Sequence, residues 1–161
     1  ERWHELEEFR DYAVSDSGTI HNIKTGMPRR TSVNQSGVVK ISLYKGRELI
    51  TRSVAVMVAD AFVDGKTDLF NTPIHLDGDR ENCSAENLMW RPRWFAVQFH
   101  RQFQSPEFYN ESPRIFNVDT GEEYDSVREC CIDQGLYYND VYRSYIHGTR
   151  IPLTRQEFAL A

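Results

Sequence analysis

The stretch that decides the fold is Ile74-His-Leu-Asp-Gly-Asp-Arg-Glu-Asn-Cys-Ser-Ala-Glu-Asn-Leu-Met-Trp90. Residues 73–79 predict a strand that runs into a turn, because Asp-Gly-Asp favours a reversal of the chain. Residues 84–90 predict the returning strand, and the residues from Trp94 to about Phe103 predict a helix. The order is therefore strand, strand, helix, with a histidine on the first strand and an asparagine at the start of the second.

This stretch resembles the HNH motif of phage and group I intron homing endonucleases, whose form is an H-x-D-G-D/N turn, an N-N pair and N-L-x-W. The matching positions are spread over all three parts of the motif. They are His75, Asp77, Gly78, Asp79, Asn82, Asn87, Leu88 and Trp90. A lone histidine or a lone Asp-Gly would mean little, whereas this combination is specific. The resemblance implies an α+β protein with a central ββα-type HNH fold that binds double-stranded DNA.

The resemblance also implies catalytic roles for His75 and Asn87. The histidine would activate a water molecule beside the scissile phosphate, and Asn87 would hold the imidazole by a hydrogen bond. A divalent metal, Mg²⁺ or Mn²⁺, would stabilise the charge that develops on the phosphate and the leaving oxygen. A structural interpretation stands beside this one, in which His75 is a hydrogen-bonded core histidine and Asn87 caps a turn.

The metal positions of the motif depart from the family. Ile74 stands before the histidine, where the family has a polar ligand, and Ala96 falls at the ligand position of the following helix. Neither side chain can bind Mg²⁺. Asp77 and His100 are alternative ligands, although Asp77 is more typical of a turn and His100 of an exposed or phosphate-contacting residue. The sequence thus predicts no cofactor, or a divalent metal if the chain is an active nuclease.

Residues 1–52 predict a small antiparallel sheet, and they resemble the N-terminal DNA-binding module of such nucleases. The clearest strand is residues 38–44, where Val39, Ile41 and Leu43 alternate with the other side chains, and the Lys-Gly pair after it predicts a hairpin turn. The open face can lie in a major groove or simply face solvent, and the alternation fits both. The DNA-binding residues predicted here are Arg29, Arg30, Asn34, Gln35, Lys40, Lys45 and Arg47.

Residues 53–104 predict the HNH-like domain itself. It begins with a buried helix that Ser53 can cap, since the residues after Ser53 are apolar nearly all round until Asp64-Gly65. After the two strands, Arg91 and Arg93 are further candidates for DNA contact, because no acidic side chain occurs between Arg91 and Arg101.

Residues 105–113 predict a linker, and residues 114–161 predict a C-terminal helix-turn-helix module. Ser126 or Asp125 can cap a first helix that Gly135 ends, and a second helix follows. The module is similar to the helix-turn-helix unit at the C-terminus of intron-encoded endonucleases. Its predicted DNA-binding residues are Tyr138, Asn139, Tyr142 and Arg143. Its predicted core residues are Val127, Ile132, Val141 and Ile146.

Net charge and cysteine content limit these interpretations. The formal net charge of -5 argues against DNA binding, because affinity for phosphates comes from Lys and Arg. Local clusters of basic residues weaken this argument. No apolar run approaches the roughly 20 residues of a membrane helix, and no signal pattern opens the sequence, so we expect a cytoplasmic protein in a bacterial host. Cys83, Cys130 and Cys131 lack paired spacing and predict free thiols.

Three hypotheses of function remain open at this point. In the first, the chain is a site-specific DNA-binding protein with a degenerate metal site that acts by occupancy, as a repressor or an interference factor. In the second, it is an active metal-dependent endonuclease or nickase that uses His75. In the third, the acidic surface of the scaffold binds a protein partner.

Overall fold

The computed structural model describes all residues from Glu1 to Ala161. Contacts divide the chain into two compact units, Glu1–Ala96 and Val97–Ala161, each with its own hydrophobic core. The architecture is α+β, with small antiparallel sheets and four helices, as the sequence predicts. None of the four helices has the length and apolar character that crossing a bilayer requires.

The first unit is built from short strands followed by two helices. Its elements are β1 (Trp3–Glu5), β2 (Tyr12–Ser15), β3 (Ile20–Asn22), β4 (Ser32–Val33), β5 (Val39–Lys45), β6 (Glu48–Ser53), α1 (Val54–Phe62), β7 (Thr72–His75), β8 (Leu88–Arg91) and α2 (Arg93–Gln102), the last of which continues into the second unit. The strands form the sheets β1-β2-β3, β4-β5-β6 and β7-β8, all antiparallel. The strand, strand, helix order of residues 73–103 is confirmed.

The central strand β5 shows the predicted alternation. Val39, Ile41 and Leu43 are buried, and the side chains between them are not. The turn differs from the prediction by one residue: Lys45 pairs with Glu48, so the hairpin loop is Gly46-Arg47. Gly46 has a φ of 63°, in the left-handed region that glycine enters without steric cost, and this fixes the position of the two-residue turn.

Helix α1 supplies the apolar centre of the first unit. Ser53 caps it by accepting a hydrogen bond from the backbone N–H of Val56, as expected for a serine at this position. Most of its side chains are buried against the strands, together with Phe9 and Trp90. The indole N–H of Trp90 donates to the carbonyl of Val63 at 2.9 Å, which joins the end of the helix to β8.

The second unit contains a three-stranded sheet and two helices. Its remaining elements are β9 (Ile115–Asn117), β10 (Glu123–Tyr124), α3 (Val127–Gln134), α4 (Tyr138–His147) and β11 (Phe158–Leu160), and the strand order is β10-β9-β11. Ser126 caps α3, and Gly135 ends it with a φ of 63°. The sequence predicts both signals. Residues 105–113, predicted as a linker, include a 3-10 turn whose Phe108 is buried in the core of this unit.

One residue of the predicted second core lies elsewhere. Val127 and Val141 are buried and Ile132 packs against the core, but Ile146 is 62% exposed. Tyr138 and Tyr142, predicted to face DNA, are partly buried and pack against this core. The prediction for Ile146 is wrong because α4 buries the face that carries Val141 and Ser144.

The buried Ser144 offers a test of how α4 is held to β11. Its hydroxyl donates to the carbonyl of Thr149 at 2.7 Å and accepts from the N–H of Phe158 at 2.9 Å. We expect Ser144→Ala to lower the free energy of unfolding of the second unit by about 1–3 kcal/mol, because a buried N–H then lacks a partner. Urea denaturation measures this, with the exposed Ser36→Ala as the matched control. Equal free energies of unfolding for the two variants would contradict the role of Ser144 in holding α4 to β11.

Candidate functional site

His75 is the last residue of β7, where the strand pairs with β8 through Leu88. Its side chain is only 5% exposed. The Nε2 atom lies 3.9 Å from the Sγ atom of Cys83, and the thiol also approaches the carbonyl of Arg80 at 3.8 Å. The imidazole is therefore fixed between the end of a strand and the loop that follows it.

That loop is closed by the side chain of Asn87. Its amide donates to Oδ1 of Asp77 and to the carbonyl of Asn82, both at 2.9 Å, and its oxygen accepts from the N–H of Asp77 at 3.1 Å. Asp77 also accepts from the N–H of Asp79 at 2.8 Å and from the amide of Asn82 at 2.9 Å. Both amide hydrogens of Asn87 are thus used to order the loop, and the imidazole contact predicted for Asn87 stays a prediction.

Burial in this cluster favours the neutral forms of His75 and Cys83. Burial, reinforced by the positive charge of Arg80, lowers the pKa of His75 to about 4. Burial also raises the pKa of the Cys83 thiol to about 11. At neutral pH the site therefore presents an uncharged imidazole beside an uncharged thiol, and an uncharged imidazole can accept a proton.

The carboxylate of Asp77 belongs to the turn. Burial opposes its charged form, but the hydrogen bonds from Asn82, Asp79 and Asn87 outweigh that and hold the pKa of this carboxyl below its ordinary value. Three hydrogen bonds to its two oxygens leave little capacity for a cation. The turn role that the sequence favours for Asp77 explains all of these contacts.

The positions that would hold a metal in this motif are apolar and buried. Ile74 is fully buried on β7 next to His75, and Ala96 is buried on α2. Neither side chain carries an oxygen or nitrogen donor. No group of three or more His, Cys, Asp or Glu side chains is arranged to hold a metal ion. The residues at these positions therefore do not fit a divalent cation. His100, the other alternative ligand, is a partly buried residue of the second unit whose ring packs edge-on to Phe99.

Arg80 joins this loop to the β4–β5 hairpin. Its Nη1 donates to the carbonyl of Ser36 at 2.9 Å, across 44 residues of sequence. Ser36 lies in the tight turn that Asn34 organises by accepting hydrogen bonds from the N–H groups of Ser36 and Val38. The loop that follows His75 and the N-terminal hairpin are thus one connected structure.

The predicted basic and polar residues of the N-terminal module differ in their exposure to solvent. Those that are exposed are Arg30, Asn34, Gln35, Lys45 and Arg47. Lys40 is partly exposed on β5. Arg29 is partly buried: it donates to the carbonyl of Ser42 at 3.0 Å and lies over the ring of Tyr12 at 5.9 Å. Arg29 thus supports the sheet from within.

Arg91, another predicted DNA contact, is buried among aromatic side chains. It is 9% exposed, donates to the carbonyl of Trp90 at 3.0 Å and lies over the rings of Phe70 and Phe95. Burial lowers the pKa of this guanidinium to about 10. A side chain enclosed in this way stabilises the fold and is not presented to DNA, whereas its neighbour Arg93 is exposed.

On α4 the predicted residues also divide. Asn139 is partly exposed and Arg143 is exposed, while Tyr138 and Tyr142 pack edge to face at 6.2 Å. Ile146 and His147, three and four residues beyond Arg143, are also exposed and lie on the same side of the helix.

Comparison with known proteins gives the family context. No protein-family model matches the chain. The DNA endonuclease I-HmuI of Bacillus phage SP01 is 27% identical over 136 residues, which cover 78% of each chain. An uncharacterized HNH endonuclease, L245 of Acanthamoeba polyphaga mimivirus, is 32% identical over 89 residues, which are 55% of this chain and only 26% of that protein.

A solved structure shows the same relationship in three dimensions. It describes DNA binding and cleavage by the HNH homing endonuclease I-HmuI, and it matches with a TM-score of 0.57 and 26% identity over 100% of this chain and 98% of that chain. The resemblance carried by residues 74–90 is confirmed by these relatives.

The burial of His75 leads to a pH-dependent stability. Between about pH 6.5 and pH 4 the unfolded chain binds a proton at His75 that the folded chain does not. The free energy of unfolding therefore falls as the pH falls through this window. We expect the wild-type protein to lose about 2 kcal/mol more than His75→Gln between pH 7 and pH 4.5.

Urea denaturation of both proteins at the two pH values measures this difference, since other titrating groups are common to them. An NMR titration of the His75 ring gives the same information directly. A ring that titrates near pH 6.5, or equal losses in the two proteins, would contradict the burial of His75.

Proposed function

We propose that this chain, a homologue of the HNH homing endonucleases, is a site-specific double-stranded DNA-binding protein whose metal site is degenerate and which acts by occupying its site. The observation that carries the proposal is the pair of buried apolar side chains, Ile74 and Ala96, at the ligand positions of the motif. His75, next to Ile74 on β7, is neutral at neutral pH and so offers no positive charge that could replace a cation.

The physical reason lies in the charge of the reaction. A base at His75 can take a proton from water, but negative charge then develops on the phosphate and the leaving oxygen. Stabilisation of such charge is usually the largest single contribution to catalysis. Burying an ion among apolar groups has a large desolvation penalty, so Ile74 disfavours a cation at this position rather than merely failing to bind it.

The features needed for binding are retained. Exposed Arg30, Lys45, Arg47 and Arg93 provide cations in the first unit. In the second unit, where acidic side chains outnumber basic ones, Arg143 lies on the outer face of α4 beside the polar Asn139. A protein with a net charge of -5 gains little from nonspecific phosphate attraction, so its affinity has to come from contacts at a particular site.

Occupancy alone is sufficient for regulation. A protein that binds a DNA site without cutting it excludes other proteins from that site, which is the action of a repressor or an interference factor. The alternative is an active nickase or endonuclease that uses His75. The neutral imidazole of His75, which can accept a proton from water, favours that alternative.

Cleavage assays distinguish the two functions. We expect the wild-type protein to bind an enriched DNA site in the presence of a chelator and to give little or no nicking in Mg²⁺ or Mn²⁺. Ile74→Asp combined with Ala96→Asn should create or raise nicking, because both ligand positions then carry oxygen donors. His75→Ala in that background should abolish it.

The cleavage assay of the wild-type protein distinguishes the two functions even if the double variant is unstable. Robust Mg²⁺-dependent cleavage by the unmodified protein, lost on His75→Ala while this variant still folds and binds DNA, would reject the occupancy proposal and establish the nuclease. Thermal unfolding of the double variant shows whether its own result can be interpreted.

The contribution of the N-terminal sheet can be tested by salt dependence. Lys40→Ala and Arg47→Ala should each weaken binding several-fold and reduce the slope of log affinity against log salt by about 0.9 for each phosphate that the variant no longer neutralises. Lys66→Ala is the matched control, since Lys66 is paired with Asp60 at 2.6 Å. Unchanged affinity and slope for both test variants would place DNA on another surface.

A further inference from the structure

The open face of the β4-β5-β6 sheet is organised in rows that cross the strands. Lys40 lies opposite Ser32 on one side and Ser53 on the other, Ser42 lies opposite Thr51, and Tyr44 lies opposite Leu49. The buried side chains of β5 point to the other face. The first row thus holds a cation between hydroxyls, and the second row is a pair of hydroxyls. The third row, next to the hairpin turn, is the apolar pair Tyr44 and Leu49.

The apolar pair is not explained by the core. Tyr44 is 49% exposed and Leu49 is 55% exposed, although the core face of the same two strands carries Leu43, which is fully buried, and Ile50, which packs against the core. Two large apolar side chains held next to each other in water contribute little to folding. Adjacent exposed apolar groups of this kind are typical of a contact surface.

The surroundings of the pair indicate the partner. Arg47 is exposed in the hairpin turn, directly beyond Tyr44 and Leu49, with Glu48 beside it. Lys45 is also exposed, but it alternates with Tyr44 along β5, and its ammonium lies 3.9 Å from the carboxylate of Glu8. An apolar pair next to the cation of Arg47 complements a polyanion that also offers apolar groups. A two-stranded β-ribbon fits the major groove of B-DNA, and the C5-methyl group of thymine is the apolar group exposed on base edges there.

We propose that Tyr44 and Leu49 are specificity-determining residues that contact thymine methyl groups in the major groove, while Arg47 contacts an adjoining phosphate. This inference rests on the DNA-binding function proposed above and assigns the chemistry of its site. The neighbouring row supports it, since Ser42 and Thr51 are neutral and hydrogen-bonded to each other at 2.8 Å, and hydroxyls tolerate any base edge.

The ribbon is also held in shape before any DNA is bound. β4 pairs with β5 only through Val39 and Lys40, so β5 has no partner strand on that side beyond this point. Arg29 donates to the carbonyl of Ser42 on β5, which satisfies a strand edge that would otherwise be open. A fixed ribbon can place Tyr44 and Leu49 without ordering them at the moment of binding.

The experiment uses the full chain and a randomised double-stranded DNA pool enriched for binding to it. Enriched sequences are prepared in two forms, one with thymine and one with uracil, which differ only by the C5-methyl group. We expect the wild-type protein to bind the uracil form about fourfold more weakly for each methyl contact, the factor that corresponds to about 0.8 kcal/mol for one buried carbon.

The variants identify the residues responsible. Tyr44→Ser and Leu49→Ser should each weaken binding to thymine DNA and reduce the thymine-to-uracil ratio towards one. Leu69→Ser is the matched control, because Leu69 is 57% exposed and undergoes the same chemical change outside this sheet. It should leave both the affinity and the ratio at the wild-type values.

The outcomes separate this inference from the function on which it rests. Failure of the wild-type protein to bind either form would overturn the DNA-binding proposal. Tight binding with equal affinity for the two forms, enriched sites without thymine, or a thymine preference that Tyr44→Ser and Leu49→Ser leave unchanged would each overturn the role of Tyr44 and Leu49 and leave DNA binding intact.

Discussion

The amide of Asn87 closes the loop between β7 and β8, and the arrangement of the site depends on this closure. By binding Asp77 and the carbonyl of Asn82 it fixes a connection whose ends are already paired in a hairpin. That fixed loop carries Cys83 against the imidazole of His75 and carries Arg80 to the β4–β5 hairpin. The motif thus has a structural use that is independent of any chemistry at His75.

The loop residues thus have a structural role even with Ile74 and Ala96 at the expected ligand positions. His75, Asp77 and Asn87 are bound into the packing and hydrogen bonding of the first unit, so their replacement would disturb the fold. The ligand positions carry no such constraint. An apolar residue at Ile74 packs into the interior more favourably than an unpaired carboxylate would. Structural and catalytic roles are therefore separable within the same short stretch of sequence.

The sequence predicts the elements of this fold better than the surroundings of individual side chains. Ser53, Ser126 and Gly135 mark helix ends through local chemistry, and the alternation along β5 gives its buried face directly. The sequence does not predict β11, because three residues, Phe158–Leu160, are too few to show a period. The burial of Arg91, a predicted DNA contact, is beyond the sequence as well, because a count of basic residues carries no information about burial.

The same limit applies to the candidate site. Residue spacing identifies His75 and Asn87, but it cannot show that both amide hydrogens of Asn87 are used by the loop. The pairing of Tyr44 with Leu49 is also beyond its reach, because it depends on the register of the hairpin, and the sequence places the turn one residue too early. Long-range contacts such as that of Arg80 with Ser36 have no signature in a single sequence.

If the metal site is degenerate, as proposed, no divalent cation binds next to His75. A titration of the DNA-bound protein with Mn²⁺ tests this through the NMR signal of the His75 ring, because the unpaired electrons of Mn²⁺ broaden nearby resonances. The His75 signal should broaden no more than the signal of His21, a histidine on β3 outside the motif. Saturable broadening confined to His75 would show a bound metal and reject the degenerate site.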